Sequence, residues 1–254
     1  MSHNAIRVSV IKYLNSIPFV FGLEKFADTL QVEMQFNTPA DCARKLKSGD
    51  VDVGLIPISE IPSLPDSYII GEFCIGAEGP VFSVCLAGDK PIDQLERIYL
   101  DPHSRSSVNL VKILAADLWK KDFIWLDAES GFEKTLIKHT DGGVVIGDKV
   151  FGIAGKYPYQ YDLAEAWKRL TGLPFVFAAW VANRTLDESW IKDFNKALAF
   201  GVNSIPDVLK RFSGDYKLHG ADLFDYLTNK ISYPLDKQKR AGMALFLQKL
   251  KNKY

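Results

Sequence analysis

The chain has 254 residues, 47% hydrophobic and 24% charged, proportions that exclude a disordered or fibrous protein and suit one large α/β domain or two lobes. Basic and acidic residues balance at 31 each, so the formal net charge is zero and no nucleic-acid partner is expected. No run approaches the roughly 18 apolar residues of a membrane span, and three cysteines without a C-x-x-C pair (Cys42, Cys74, Cys85) read as buried thiols of a reducing compartment.

The opening residues, MSHNAIRVSVIKYLNSIP, show no basic segment leading into a long apolar one, so a cytoplasmic location is expected. Ile6 to Ile11 reads as a strand, followed by a turn at Asn15–Pro18 and a helix through about Ala27. Gln31 to Phe36 alternates as a second strand. Thr38 then caps a helix with Pro39 at its first position, ending near Ser48–Gly49. Val51 to Ile56 is a third strand, short and apolar as the centre of a parallel sheet would be. Right-handed crossovers would place these three strands in one parallel sheet.

A second such unit begins near Leu95. Arg97 to Leu100 is a strand, residues 101–105 a polar loop, and Val108, Val111, Leu114, Ala115 and Leu118 mark the buried face of a helix. Phe123 to Leu126 and Gly143 to Ile146 are two further strands. The β-prone stretches GPVFSVCLAG (79–88) and PFVFAAWVA (174–182) lie where the chain would cross between units. From about Leu186 the sequence is mostly helical and has to pack back on the first unit. The pattern predicts a two-lobed α/β protein of the type II periplasmic-binding-protein-like fold: mixed β-sheets flanked by helices, with two hinge crossings. Residues 1–86 plus 181–254 form one lobe, residues 87–180 the other, and a ligand cleft lies between them. Such a cleft presents strand ends and helix N-termini to a small anion.

Read in order, YLNSIPFVFGLE, GDVDVGLIPISE, GPVFSV, SRSSVNLVKIL, VVIGDKV and YDLAEAWKRLTGLPFVFAAWV resemble the chorismate dehydratase (MqnA) family of the futalosine route to menaquinone. Each string is short and weak alone; six in order, spanning Val10 to Ala182, form a joint signal. The sister dihydroxynaphthoate synthases (MqnD) share the fold but usually carry a Cys-Pro-Asn-type turn after the first strand, where this chain has Tyr13-Leu14-Asn15-Ser16. The resemblance implies a cofactor-free and metal-free hydro-lyase that takes a small dicarboxylate, chorismate, to 3-[(1-carboxyvinyl)oxy]benzoate.

The resemblance makes Asn15 and Ser83 the catalytic candidates. Asn15 follows the first strand, and its amide can donate to a carboxylate or hydroxyl, or else stabilise its own turn. Ser83 opens a crossing strand and has no His–Asp partners in sequence, so hydrogen bonding suits it better than covalent catalysis. Ser104, Ser106 and Ser107 precede or open the helix near Val108. Unpaired amides and partial positive charge at that end can dock a carboxylate, while one of the serines caps the helix. Ser59 follows the third strand where ligands collect in parallel sheets. Gly147 would let a ligand approach the backbone, or simply form a turn. These five are the substrate-binding candidates. Asp148 either accepts from a substrate hydroxyl or caps the next segment. Arg105 and Lys12 are the cations nearest the docking positions, and His103 is the one histidine beside a motif. His3, His139 and His219 show no pairing, and no set has the spacing of a zinc site.

The chain offers no convincing strong base, so the substrate's own enolpyruvyl carboxylate is the expected proton acceptor. The competing readings are a non-catalytic small-anion binder, against which the missing export signal argues; the sister synthase; and a ligand-sensing domain, which would need a helix-turn-helix extension.

Overall fold

The computed structural model describes residues 5–212 and 222–252; His3 and His219 lie outside them. Two mixed sheets with helices packed on them form the two lobes of an α/β protein.

The first lobe starts with β1 (Ile6–Ile11), a turn of 3₁₀ helix at Leu14–Ser16, α1 (Ile17–Lys25) and the short α2 (Ala27–Leu30). β2 (Val32–Asn37) leads into α3 (Pro39–Ser48), where the Thr38 side chain accepts from the Asp41 N–H and Gly49 closes the helix at φ 77°. β3 (Val53–Pro57) and β4 (Tyr68–Ala77) follow. The second lobe holds β5 (Val84–Gly88), β6 (Arg97–Leu100), α4 (Ser106–Leu114), β7 (Ile124–Asp127), β8 (Asp141–Ile146), β9 (Tyr159–Asp162) and α5 (Leu163–Thr171). β10 (Phe175–Ala182) returns to the first sheet. There follow α6 (Glu188–Asn203), α7 (Ile205–Phe212), α8 (Leu223–Asp225), β11 (Ser232–Pro234) and α9 (Lys237–Lys251).

The first sheet runs β11-β4-β10-β3-β1-β2 and the second β7-β6-β8-β5-β9. β1, β2 and β3 are parallel, as their apolar pattern requires, while β10, β4 and β11 join them antiparallel. In the second sheet β6, β7 and β8 are parallel, and β5 and β9 antiparallel. The expected lobe boundaries at 86/87 and 180/181 therefore cut through strands. β5 pairs along its length with β8 and β9, and β10 is buried between β3 and β4, so each strand goes whole to one sheet. The chain changes sheets in the short segments 78–83 and 172–174.

The helical tail returns to the first lobe through a close backbone approach. A Cβ on Gly22 of α1 would fall 1.9 Å from the Ala197 carbonyl oxygen of α6, and one on Gly201 would fall 1.7 Å from that of Pro18, so only glycine permits this packing. One apolar cluster runs through both lobes, from Val8 and Leu55 to Leu110 and Trp167, and makes the base of the cleft rigid. The three cysteines are buried and unpaired, their thiols pushed up to about 12 by burial. Among the described residues, no helix is long and apolar enough to cross a membrane.

Candidate functional site

The carboxyl ends of β1, β3, β6 and β8 face a cleft between the sheets, the position in which parallel α/β sheets collect ligands. Its empty space, open solvent included, is about 530 Å³. The first lobe contributes Ile11, Tyr13, Asn15, Pro39, Pro57, Ile75, Phe177 and Ala178. The second lobe and the crossing segment contribute Val81, Ser83, Val84, Ser104 to Ser107, Ile146 and Gly147. Asn15, Ser83, Ser104, Ser106, Ser107 and Gly147, separated by up to 132 positions in the sequence, thus surround one space.

Asn15 sits in the 3₁₀ turn that β1 delivers to the cleft. Its Oδ1 accepts from Ser16 Oγ at 3.3 Å, its Nδ2 donates to Tyr226 Oη at 3.5 Å, and its carbonyl accepts from Tyr233 Oη at 3.1 Å. The amide is therefore held at both ends. Ser83 is aimed by a clamp on the crossing segment. The N–H groups of Val81 and Phe82 both donate to Asp162 Oδ2, at 2.8 and 2.7 Å, which holds Phe82 at the left-handed φ of 62°. The other Asp162 oxygen caps α5 through the N–H groups of Ala164 and Glu165. Burial pushes this carboxyl up, against the pull of four amides. The Ser83 carbonyl accepts from the Gly147 N–H at 2.8 Å, and Ser83 Oγ accepts from Tyr226 Oη at 2.9 Å.

The three serines at the start of α4 divide their work. Ser104 Oγ accepts from the Ser107 N–H at 3.2 Å and so caps the helix, which begins two residues before the predicted Val108. Ser106 Oγ donates to the Phe177 carbonyl at 2.9 Å and accepts from the Ser59 N–H at 3.4 Å, which ties this helix to the opposite lobe. The Ser107 hydroxyl makes no hydrogen bond among the described residues and lines the cleft. Arg105, exposed and lining the cleft, makes no ion pair there. No Asp, Glu, His or Lys lines the cleft among the described residues. A mostly apolar wall that carries a few donors, one cation and no carboxylate among the described residues suits a small anion with an apolar body.

Gly147 has φ 64°, and a Cβ on it would meet the Tyr13 ring at 3.0 Å. In this structure the backbone approach that glycine permits is made by Tyr13. Burial together with Asp101 and Asp148 raises the Tyr13 phenol and keeps it neutral. Asp148 neither caps its own segment nor lines the cleft. Its Oδ1 accepts from the Leu14 N–H at 3.3 Å across the lobes, and burial raises its carboxyl to about 6. Asp101 is buried in an ion pair with Lys149.

Three other candidates stand apart. Ser59 lies behind the cleft wall, its Oγ 3.5 Å from Ser106 Oγ. His103 is bound at Nε2 to Ser130 Oγ at 2.8 Å, away from the lining, and Lys12 is exposed outside it. Among the described residues no three His, Cys, Asp or Glu side chains gather as metal ligands would. The residue that sequence reasoning missed is Tyr226. This buried phenol, in a π turn at Tyr226–Lys230 of the helical tail, joins Asn15 to Ser83. A lone tyrosine among helical residues carries no local pattern that could have marked it.

A family model described as menaquinone biosynthesis matches residues 6–252. The chorismate dehydratase of Thermus thermophilus is 26% identical over 262 aligned residues, covering 92% of this chain and 95% of that protein. The chorismate dehydratase of Campylobacter jejuni is 26% identical over 249, covering 95% and 96%. Among solved structures, a protein of Archaeoglobus fulgidus matches with TM-score 0.74 at 16% identity, covering 100% of this chain and 99% of that one. The alkanesulfonate-binding protein SsuA of Xanthomonas axonopodis pv. citri, bound to MOPS, matches with TM-score 0.69 at 12% identity, covering 99% and 93%. A Candida albicans protein described as having the generic periplasmic binding protein fold gives 0.68 at 12% identity, covering 98% and 90%. These structures identify the fold as periplasmic-binding-protein-like.

Proposed function

The chain belongs to the menaquinone-biosynthesis family, and from that premise we propose that it is a hydro-lyase removing water from chorismate to give 3-[(1-carboxyvinyl)oxy]benzoate. The observation that carries the reading is the convergence of donors from both lobes on a cleft with no lining carboxylate.

Chorismate has a ring carboxylate, a second carboxylate on its enolpyruvyl ether, and a hydroxyl on a cyclohexadiene ring. Loss of water across the carbons bearing ether and hydroxyl makes the ring aromatic, so the reaction is strongly downhill. The proton to be lost is conjugated through a double bond to the ring carboxylate. Charge released on its departure collects on that carboxylate, where the first amides of α4, the Ser107 hydroxyl and Arg105 can stabilise it. The C–O bond then breaks and the hydroxyl leaves as water.

With no Asp, Glu, His or Lys among the described lining residues, the enolpyruvyl carboxylate is our assigned proton acceptor. It takes the ring proton and returns it to the departing hydroxyl, so atoms and charge balance without a second reactant. Holding that carboxylate over its own ring supplies proximity, which can lower a barrier by roughly 7 kcal/mol or more. Asn15 and Ser83, held between the lobes, are suited to grip the side-chain carboxylate and the hydroxyl. The elimination is redox-neutral, and no redox cofactor enters the proposal.

The test is incubation of the purified protein with chorismate alone, followed by chromatography and mass measurement. Loss of one water, with the aromatic absorbance of a substituted benzoate, is the expected result. Unchanged chorismate that nonetheless raises the melting temperature would identify a binding protein and overturn the assignment.

A further inference from the structure

Tyr226 stands where Asn15 and Ser83 meet, yet no step of the elimination uses it. Its side chain is buried, with its ring seated edge-on against Phe151 at 5.1 Å and 84°. A phenol has one proton and can also accept. Asn15 Nδ2 is able only to donate, so Tyr226 Oη accepts there and has its own proton to place. Ser83 Oγ, 2.9 Å away, is the acceptor it meets among the described residues. With the proton turned elsewhere, a buried donor would be left unsatisfied, a costly arrangement. Burial also holds the phenol in its protonated form, so the proton is there to be given.

We propose that Tyr226 is a positioning residue: by giving its proton to Ser83 Oγ and taking one from Asn15 Nδ2, it leaves the Ser83 hydroxyl proton and the second Asn15 amide proton to face the cleft as donors. The identity of the ligand rests on the function proposed above; the hydrogen-bond polarity rests on the geometry alone. Ser83 Oγ already accepts from Tyr226, and its own proton has no protein acceptor among the described residues. Ser16 Oγ donates to Asn15 Oδ1, which leaves Nδ2 as the end of the amide that meets Tyr226. Both groups thus present hydrogen rather than lone pairs to the cleft, the polarity a dicarboxylate requires. A serine that spent its proton on Tyr226 would show the ligand lone pairs and repel it. The helical tail thereby contributes to the site, although no cleft-lining residue among the described ones comes from it.

Two measurements test this. Neutron diffraction of the perdeuterated protein reads the polarity without any ligand. Deuterium on Tyr226 Oη directed at Ser83 is expected; deuterium on Ser83 Oγ directed at Tyr226 would overturn the proposal. A cycle of Y226F, S83A and the double variant, assayed with chorismate, reads its consequence. Y226F keeps the ring and its packing, and should fold. Its kcat should fall by about tenfold or more, less than the hundredfold or greater loss expected when a charge-stabilising donor is deleted, and most of the Y226F loss should vanish in the S83A background. A loss that multiplies in full in both backgrounds, or a wild-type rate in Y226F, would reduce Tyr226 to packing. Should the wild-type protein leave chorismate untouched, the functional assignment fails while the neutron result still decides the polarity.

Discussion

Gly147→Ala separates a cleft-forming glycine from an ordinary turn glycine, and Gly155→Ala supplies the matched control. Both glycines lie in the left-handed region, at φ 64° and 72°. An alanine there costs about 1–2 kcal/mol of backbone strain at either site. The surroundings differ. A Cβ at 155 meets nothing within 4 Å, whereas a Cβ at 147 meets Tyr13 Cζ at 3.0 Å and both Cε atoms at 3.1 Å. The ring must give by a few tenths of an ångström, and overpacking of this kind adds about 1 kcal/mol at the low end of its range. Urea unfolding should therefore show Gly147→Ala less stable than Gly155→Ala by about 1 kcal/mol, or about 2–4 °C in melting temperature for a chain of this size. The displaced ring lines the cleft, so ligand affinity should fall with Gly147→Ala and hold with Gly155→Ala. Adding Tyr13→Ala should remove the excess cost at 147 and leave the backbone part. Equal stabilities and equal affinities in the two alanine variants would refute the assigned role of the Tyr13 contact.

Asp148→Asn should flatten the stability–pH profile between about pH 4 and 6. The carboxyl is raised to about 6, so the folded state holds its proton where the unfolded state has lost it. The contribution is complete below the unfolded pKa of about 3.9 and is lost as pH rises through about 6, a cost of at most about 3 kcal/mol at neutral pH. Melting curves showing the same profile for both proteins would contradict it. Ser106→Ala should lower stability by about 1–2 kcal/mol, because the Ser59 N–H loses its acceptor and the Phe177 carbonyl its donor. Ser107→Ala should leave melting unchanged and weaken dicarboxylate binding about tenfold, as loss of a charge-assisted hydrogen bond does; calorimetry on the pair would expose an equal effect. Asn15→Ala and Ser83→Ala should each reduce turnover by about a hundredfold while retaining a cooperative melt, and wild-type rates would remove either from the mechanism.

The fold was readable where one strand or helix face is uniformly apolar. The run IRVSVI and the Thr38–Pro39 start of α3 carry their own signals, and both form where the pattern puts them. β4 went unread because YIIGEFCIGA has two glycines and a buried–exposed pattern broken by bulges against β10. Gly71 in that strand exists for tertiary reasons, since a Cβ there would meet Trp180 at 3.0 Å. β9 is a polar edge strand and β11 a three-residue edge ending in Pro234, and such edges lack the apolar run that marks a strand. The lobe boundaries slipped for a related reason. An apolar stretch shows that a strand is buried without showing which sheet buries it, and β5 and β10 are equally apolar.

The cleft was legible through loops at strand ends, but the division of labour within it was not. Ser106 and Ser107 are identical neighbours in sequence, and a hydroxyl's availability depends on what faces it. One turn of α4 sets Ser106 against the Phe177 carbonyl of the other lobe, where its proton is spent. For Ser106 to donate to a ligand, that inter-lobe bond would have to be exchanged for one of similar strength, with little net gain. On the function proposed above, the work of holding a carboxylate therefore shifts to the Ser107 hydroxyl and Arg105, which have no such competitor among the described residues. The same reasoning raises Tyr226. Hydrogen bonds carry direction as well as distance, and a cleft built for an anion has to dispose of its acceptors behind the wall before its donors can face the ligand.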